Sequence, residues 1–178
     1  MKQLFLINVS GHDKPGVTRV VTEVLSTFDV TVLDIGQAVI HDQLNLGILA
    51  AVPDSENSDA LVSSVQSSLQ SLEMQVMFSP ITEQRYQSWV GQQGKARYIV
   101  TLLARKIEPE HLAAVATVTS EYDLNIDKIV RLSGRMELGE SEQLGRACVE
   151  FSVRGEPKDA VQFKSALLEL ASHYDIDI

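Results

Sequence analysis

The chain has 178 residues, of which 44% are apolar, enough for one large domain or two small ones. Its net charge of −9 offers no cationic surface of the kind that a phosphate backbone requires, which argues against a nucleic-acid partner. No apolar run approaches the ~20 residues of a membrane helix, no basic-then-apolar signal opens the chain, and one cysteine, Cys148, excludes an internal disulfide. We therefore expect a cytoplasmic protein that binds neither nucleic acid nor membrane.

The first elements are a strand, a polar loop and a helix. The apolar strand runs from Leu4 to Val9, and we expect it to break at Gly11. Pro15 suits the first position of the helix, where its missing N–H costs no hydrogen bond. The apolar residues of the helix recur at i, i+3, i+4, i+7, i+8 and i+11 and predict one buried face, which consists of Val17, Val20, Val21, Val24, Leu25 and Phe28.

After Asp29 the apolar residues alternate, which is typical of strands. Two such runs flank the polar turn His41-Asp42-Gln43 and predict an antiparallel hairpin. A second helix and a short strand, Met74 to Phe78, follow and complete the order β-α-β-β-α-β. The second helix presents Leu61, Val65, Leu69 and Leu72 on its apolar face.

The same order recurs 94 positions later, where Pro15 falls on Pro109. This second copy is predicted to end in a strand, Asp175 to Ile178, that looks cut short, and a polar loop, Ser133 to Arg146, replaces its hairpin turn. Its other predicted elements are the strand Tyr98–Ala104, the helix Pro109–Tyr122, the hairpin arms Leu124–Leu132 and Ala147–Val153, and a helix lined by Ala160, Phe163, Leu167, Leu170 and Ala171.

The repeat predicts an α+β protein with two similar domains built on antiparallel sheets. The expected boundaries are 1–79 for the first domain, 80–95 for a linker, and 96–178 for the second. The linker carries Tyr86 and Trp89 among glutamines and glycines, and these aromatic residues either pack against a domain face or lie in a partner interface.

A β-α-β-β-α-β unit whose first loop reads D-x-P-G resembles the ACT domain, a ferredoxin-like regulatory module that binds amino acids. The chain is also similar, over essentially its whole length, to the tandem ACT region of phosphoserine phosphatases of the long, gamma-proteobacterial type. Five segments carry this resemblance: "LINVSGHDKPGVT", "VLDIGQAVIHDQLNLGIL", "WVGQQGKARYIVTLLARKI", "LNIDKIVRLSGRMEL" and "RACVEFSVRGEP". It implies two βαββαβ ACT domains and a parent enzyme of serine biosynthesis.

In that family a haloacid-dehalogenase-type catalytic domain follows, with a D-x-D-x-T motif around Mg²⁺. The D-x-D of this chain, Asp175-Ile176-Asp177, has no Thr after it and none of the other groups that phosphoryl transfer needs. We therefore expect this polypeptide to catalyse no such reaction and to need no cofactor of its own, with Mg²⁺ in the catalytic domain. The predicted last strand, which looks cut short, favours a chain that is a fragment of such an enzyme.

The first polar loop carries the candidate site. Amides of Gly16 and Val17 at a helix N-terminus suit a carboxylate, and Asp13 suits an ammonium group, so together they match a zwitterionic α-amino acid. A plain strand-to-helix turn with Asp13 as helix cap has the same composition. The second copy has Glu110 in place of the glycine, so we do not expect an equivalent pocket there.

Three residues of the next strand complete the candidate set. Many amino-acid-binding ACT domains carry Asn at the start of this strand, where the first copy has Thr31 and the second has Asn125. Asp34 and Gln37 are a polar pair in an otherwise apolar strand, and they face either a ligand or an edge.

The leading functional hypothesis is an amino-acid-sensing module, with L-serine as ligand, that regulates and dimerises a phosphoserine phosphatase. One alternative is a free-standing tandem-ACT regulator that acts through protein contacts. Another is an architectural module that joins subunits without any ligand.

Overall fold

A computed structural model describes residues 2–53, 58–134, 147–157 and 159–178. The chain forms two units, Met1–Val90 and Gly91–Ile178. Both are βαββαβ-like units of the ferredoxin type with antiparallel sheets, as the sequence predicts. None of the described helices is long and apolar enough to cross a membrane.

The first unit is a four-stranded antiparallel sheet with order β2-β3-β1-β4. A helix that the sequence analysis did not predict, α3, follows the last strand. The elements are β1 (Gln3–His12), α1 (Val17–Thr27), β2 (Thr31–Ile40), β3 (Gln43–Val52), α2 (Ser58–Gln70), β4 (Gln75–Ile81) and α3 (Glu83–Gln92).

The core of the first unit lies between one face of the sheet and the helices α1 and α2. Burial alternates along the central parts of β1 and β3, where Ile7 and Ile48 are fully buried. The predicted face of α1 is confirmed: Val17, Val21 and Leu25 are buried, and Val20, Val24 and Phe28 pack against the same cluster. Each fully buried aliphatic side chain of this kind contributes about 1.5–3 kcal/mol.

The second unit repeats this plan with a three-stranded sheet of order β5-β7-β6. Leu103 and Asp177 form an isolated antiparallel bridge beside it, so the predicted strand from Asp175 to Ile178 is present only as this bridge. The elements are β5 (Arg97–Ala104), α4 (Pro109–Glu121), β6 (Asn125–Arg131), β7 (Ala147–Arg154) and α5 (Ala160–Tyr174). The predicted polar loop from Ser133 to Arg146 lies outside the described residues from position 135 onward.

The two copies share a register irregularity as well as an order of elements. In β2 the register shifts between Val32 and Asp34, and in β6 it shifts between Ile126 and Lys128. Leu33 and Asp127 are thus the extra residues, and they are 94 positions apart, the spacing of the sequence repeat.

Two expectations need correction. The first strand does not break at Gly11, since Gly11 and His12 still pair with Leu44 and Gln43. A Cβ on Gly11 would lie 2.8 Å from Sδ of Met74, so a larger residue there would require the end of that flexible side chain to shift. The segment 80–95 is not a plain linker, because it holds the end of β4 and the helix α3.

Candidate functional site

The candidate loop, residues 13–16, joins β1 to α1. Gly16 is the N-cap of α1 and adopts the left-handed conformation, with φ 94° and ψ −6°. A residue without Cβ takes this conformation at little cost. Pro15 therefore precedes the cap and does not occupy the first helical position; in the second unit, Pro109 does occupy it.

The N-terminus of α1 has backbone donors to offer. The first intrahelical bond runs from Val20 N–H to Gly16 C=O at 2.9 Å, so the amides of Val17, Thr18 and Arg19 precede it. Among the described residues, no side chain caps this helix. The partial positive charge of the helix end thus remains for an anion.

Asp13 does not act as the helix cap that the plain-turn alternative requires. Its side chain is exposed, and its backbone N–H donates to Asp42 C=O at 2.7 Å. That bond ties the loop to the β2–β3 turn and leaves the carboxylate of Asp13 at the surface near the helix end.

Two further contacts hold the loop. Nδ1 of His12 lies 3.1 Å from Asp42 C=O, in the same turn. Lys14 reaches the other way and donates to Leu72 C=O at 3.2 Å and to Oε2 of Glu73 at 2.6 Å. The loop is therefore anchored at both sides by charged or polar contacts.

Two acidic residues beside the loop, Glu73 and Asp42, have pKa values below their ordinary ones. The hydrogen bond from Lys14, with the positive charge of its ammonium group, lowers the pKa of Glu73 from its ordinary value. The hydrogen bond with His41, 2.7 Å away, is the main cause that lowers the pKa of Asp42. Both carboxylates thus remain charged to lower pH than free ones.

Gln37 lies beside this loop. The hydroxyl of Thr18 donates to Oε1 of Gln37 at 2.6 Å, which joins the first turn of α1 to β2. Val17 has a fully buried side chain, at 1% exposure, so only its amide can meet a ligand. Asp13, Gly16, the Val17 amide and Gln37 therefore lie around one end of α1.

Thr31 and Asp34 do not join them. β1 and β2 run parallel because each pairs antiparallel with β3, so Thr31 lies at the end of the sheet away from the loop. From Thr31 to Gln37 the strand spans about 20 Å. Asp34 pairs with Leu49, whereas its neighbour Ile35 pairs with the buried Ile48, so Asp34 lies on the sheet face opposite α1 and α2.

The second unit closes the equivalent helix end from within. The Glu108 carboxylate accepts a hydrogen bond from His111 N–H, and Nδ1 of His111 accepts one from Glu108 N–H at 3.2 Å. The Glu108 carboxylate thus occupies the helix end at which the first unit is open.

The start of β6 is held by its own contacts. Asn125, at the start of β6, donates to Asp127, which forms an ion pair with Arg154 at 2.8 Å.

Sequence reasoning missed Thr18 and the helix α3. The hydroxyl of Thr18 could have been noticed, because it is the second residue of the predicted helix, next to the proposed amides. Helix α3 has no buried residue, so its pattern carries little apolar periodicity. It nevertheless lines, with Asp34, a cavity on the other side of the sheet.

No metal centre is found in the part of the chain that the structure describes, where no group of three or more His, Cys, Asp or Glu could hold an ion. In the D-x-D sequence, Asp175 is the left-handed C-cap of α5, and the backbone of Asp177 pairs with Leu103. The Mg²⁺ of a phosphatase does not fit these residues.

One family model matches the first unit. The family model of the ACT domain matches residues 3–79. Two solved structures share the whole fold. An unknown protein from Galdieria sulphuraria has a TM-score of 0.74 at 16% identity, and the match covers 99% of this chain and 96% of that one. A candidate glycine cleavage system transcriptional repressor has a TM-score of 0.71 at 13% identity, and the match covers 99% of this chain and 95% of that one. At these identities they show the fold alone.

Two curated relatives are similar in sequence. The chain is 29% identical to a phosphoserine phosphatase of Streptomyces coelicolor, over 97% of this chain and 38% of that protein. It is 27% identical to the phosphoserine phosphatase SerB2 of Mycobacterium tuberculosis, over 97% of this chain and 39% of that protein. The chain thus spans about two fifths of the length of these relatives. Residues 3–79 thus match the ACT domain, and the chain as a whole is similar in sequence to part of two phosphoserine phosphatases.

Proposed function

We propose that the chain is the regulatory module of a phosphoserine phosphatase and that its first unit binds L-serine at the N-terminus of α1. The observation that carries this proposal is the difference between the two units. In the first, the amides of Val17–Arg19 lack a side-chain cap among the described residues and lie near the exposed Asp13. In the second, Glu108 caps the matching helix.

The helix end and Asp13 together match the negative and the positive group of an amino acid. A carboxylate placed at the helix end accepts N–H bonds and meets the positive end of the helix dipole, which contributes about 0.3–2 kcal/mol. The carboxylate of Asp13 binds the ammonium group. Gln37, already joined to Thr18 at 2.6 Å, borders the same space and offers polar contacts to a small hydroxylated side chain such as that of serine.

The wider assignment rests on the curated relatives. They are more than twice as long as this chain, which leaves room for a catalytic domain that performs Mg²⁺-dependent hydrolysis of phosphoserine. In that setting serine is the product of the parent enzyme, and its binding here gives allosteric control within serine biosynthesis. We place the module in the cytoplasm and expect it to form a homodimer.

The alternative is a free-standing tandem-ACT regulator that acts through protein contacts. The similarity to a transcriptional repressor structure reaches 95% of that chain, but at 13% identity it shows a shared fold and no shared function. Sequencing of the gene beyond codon 178 separates the two proposals. A following D-x-D-x-T strand supports the phosphatase, and a stop codon supports the free-standing regulator.

Calorimetric titration with L-serine tests the site. We expect a dissociation constant between roughly 10 µM and 1 mM, and much weaker binding of serinamide and N-acetylserine, each of which lacks one charge. Asp13→Ala should abolish binding by removing the ammonium partner. Glu110→Ala, an exposed change on α4 in the second unit, is the matched control and should bind as the wild type does. Equal binding by Asp13→Ala, or no binding by the wild type, would reduce the loop to a turn.

A further inference from the structure

The first unit has a second candidate pocket, on the sheet face away from α1 and α2. A cavity of about 210 Å³ lies between this face and α3. Its walls include Leu6, Leu49 and Asp34 from the sheet and Arg85, Tyr86 and Trp89 from the helix. This α3 pocket is distinct from the loop site, since Gln37 and α1 lie on the other face of the sheet.

Strand pairing and helix periodicity explain which residues form the two walls of the α3 pocket. Leu6 pairs with Leu49, and Leu49 pairs with Asp34, so the three form a straight row across β1, β3 and β2. Arg85 and Trp89 are four positions apart on α3 and therefore lie on the same helix face, which Tyr86 borders. One wall thus carries a carboxylate and the other a guanidinium group.

Both charges are available to a ligand. Oδ1 of Asp34 accepts a bond from the adjacent Ile35 N–H at 2.9 Å. Within the described residues, neither the carboxylate of Asp34 nor the guanidinium of Arg85 has an ion-pair partner within 4.0 Å. The rest of the cavity is lined by aliphatic side chains and by Tyr86 and Trp89, whose ring centroids are 6.0 Å apart.

A carboxylate and a guanidinium group at one apolar cavity are complementary to the adjacent ammonium and carboxylate groups of an α-amino acid whose apolar side chain enters the cavity. We propose that the α3 pocket binds an apolar α-amino acid. Asp34 binds its ammonium group, Arg85 binds its carboxylate, and Leu6, Leu49 and Trp89 contact its side chain. Arg pairs with carboxylates through two parallel N–H donors, and the aromatic faces favour a nearby cation. This inference goes beyond serine sensing and does not depend on it.

Trp89 makes the pocket directly measurable, because it is the only tryptophan of the chain. Titration with L-leucine should change its fluorescence in a saturable way, with a dissociation constant on the order of 1 mM. 4-Methylpentanoate, which lacks the ammonium group, and 3-methylbutylamine, which lacks the carboxylate, should bind far worse. L-Serine should neither mimic nor compete with the signal.

Variants assign the two charges. Asp34→Asn and Arg85→Gln should each weaken leucine binding by about tenfold or more, since each removes a charge-assisted hydrogen bond. Arg105→Gln, an exposed change in the second unit, is the matched control and should bind leucine as the wild type does. Thermal unfolding of the variants, all changed at exposed positions, checks that they are folded.

The outcome is independent of the loop site. Asp13→Ala should retain the fluorescence response to leucine even if it loses serine binding, and Asp34→Asn should show the reverse. The proposal is overturned if leucine gives no saturable change, if Asp34→Asn and Arg85→Gln bind it as the wild type does, or if Asp13→Ala alone abolishes the response.

Discussion

Glu108 and His111 cap α4 for each other: the Glu108 carboxylate accepts a bond from His111 N–H, and Nδ1 of His111 accepts one from Glu108 N–H at 3.2 Å. This reciprocal pair satisfies two donors at the helix end from within the chain. At the corresponding end of α1, Gly16 has no side chain to do so. The two units therefore share a fold but differ at the position where an anion would bind.

The cap of the second unit should contribute to its stability. Glu108→Ala removes the acceptor of one N–H bond and should lower the free energy of unfolding by about 1 kcal/mol, as measured by urea denaturation. Glu110→Ala, two residues further along the same helix, should stay within about 0.5 kcal/mol of the wild type. Asp13→Ala should be equally mild, because Asp13 caps no helix. Equal losses for Glu108→Ala and Asp13→Ala would contradict this difference between the units.

Gly16 should be required for its backbone conformation. With φ at 94°, any residue with a Cβ is strained there, so Gly16→Ala should lower the free energy of unfolding by about 1–2 kcal/mol. Crowding is not the reason, since an added Cβ would meet no atom within 4 Å. Gly36→Ala, also uncrowded but without positive φ, is the control and should not destabilise the fold. A neutral Gly16→Ala would show that the loop relaxes freely.

The contact between Lys14 and Glu73 should make stability depend on pH. The pKa of Glu73 is lower in the folded chain than its ordinary value of 4.5, so the stabilisation is present above that value and is lost as the pH falls through the lower folded pKa. Glu73→Gln should therefore be less stable than the wild type near neutral pH, and the difference should shrink in acid. Because Glu73 is exposed, added salt should also reduce it. Denaturation across a pH series tests this, and a constant difference would contradict it.

We expect the edge strand β2 to form the contact of the proposed dimer. It pairs only with β3 among the described strands, and it exposes Val32 and Ile35 at 44% and 50%. Light scattering at tens of micromolar should give about twice the 19.6 kDa mass of one chain. Ile35→Lys should shift the mass toward one chain, whereas Val161→Lys, at an exposed position on α5, should not. A wild type that scatters as a monomer would refute dimerisation.

The sequence alone predicted the order of the elements, apart from α3 and the last strand of the second unit. It also predicted the buried face of α1, because apolar periods of two and of nearly four show which residues are buried. It also predicted the repeat at a spacing of 94 positions, and the register shifts at Leu33 and Asp127, which only the structure showed, have the same spacing. Asp13, Gly16 and Val17 could be grouped because they are neighbours along the chain, and local geometry keeps neighbours together.

Tertiary structure decided which distant residues meet. Asp34 and Gln37 are an odd number of positions apart in one strand, so they lie on opposite faces of the sheet, and Thr31 lies at its far end. Helix α3 carries no buried residue, and only its position over the sheet brings Arg85 and Trp89 to Asp34. A sequence pattern records which side of an element is apolar, whereas a site between elements depends on strand pairing and helix packing, which bring together residues far apart along the chain.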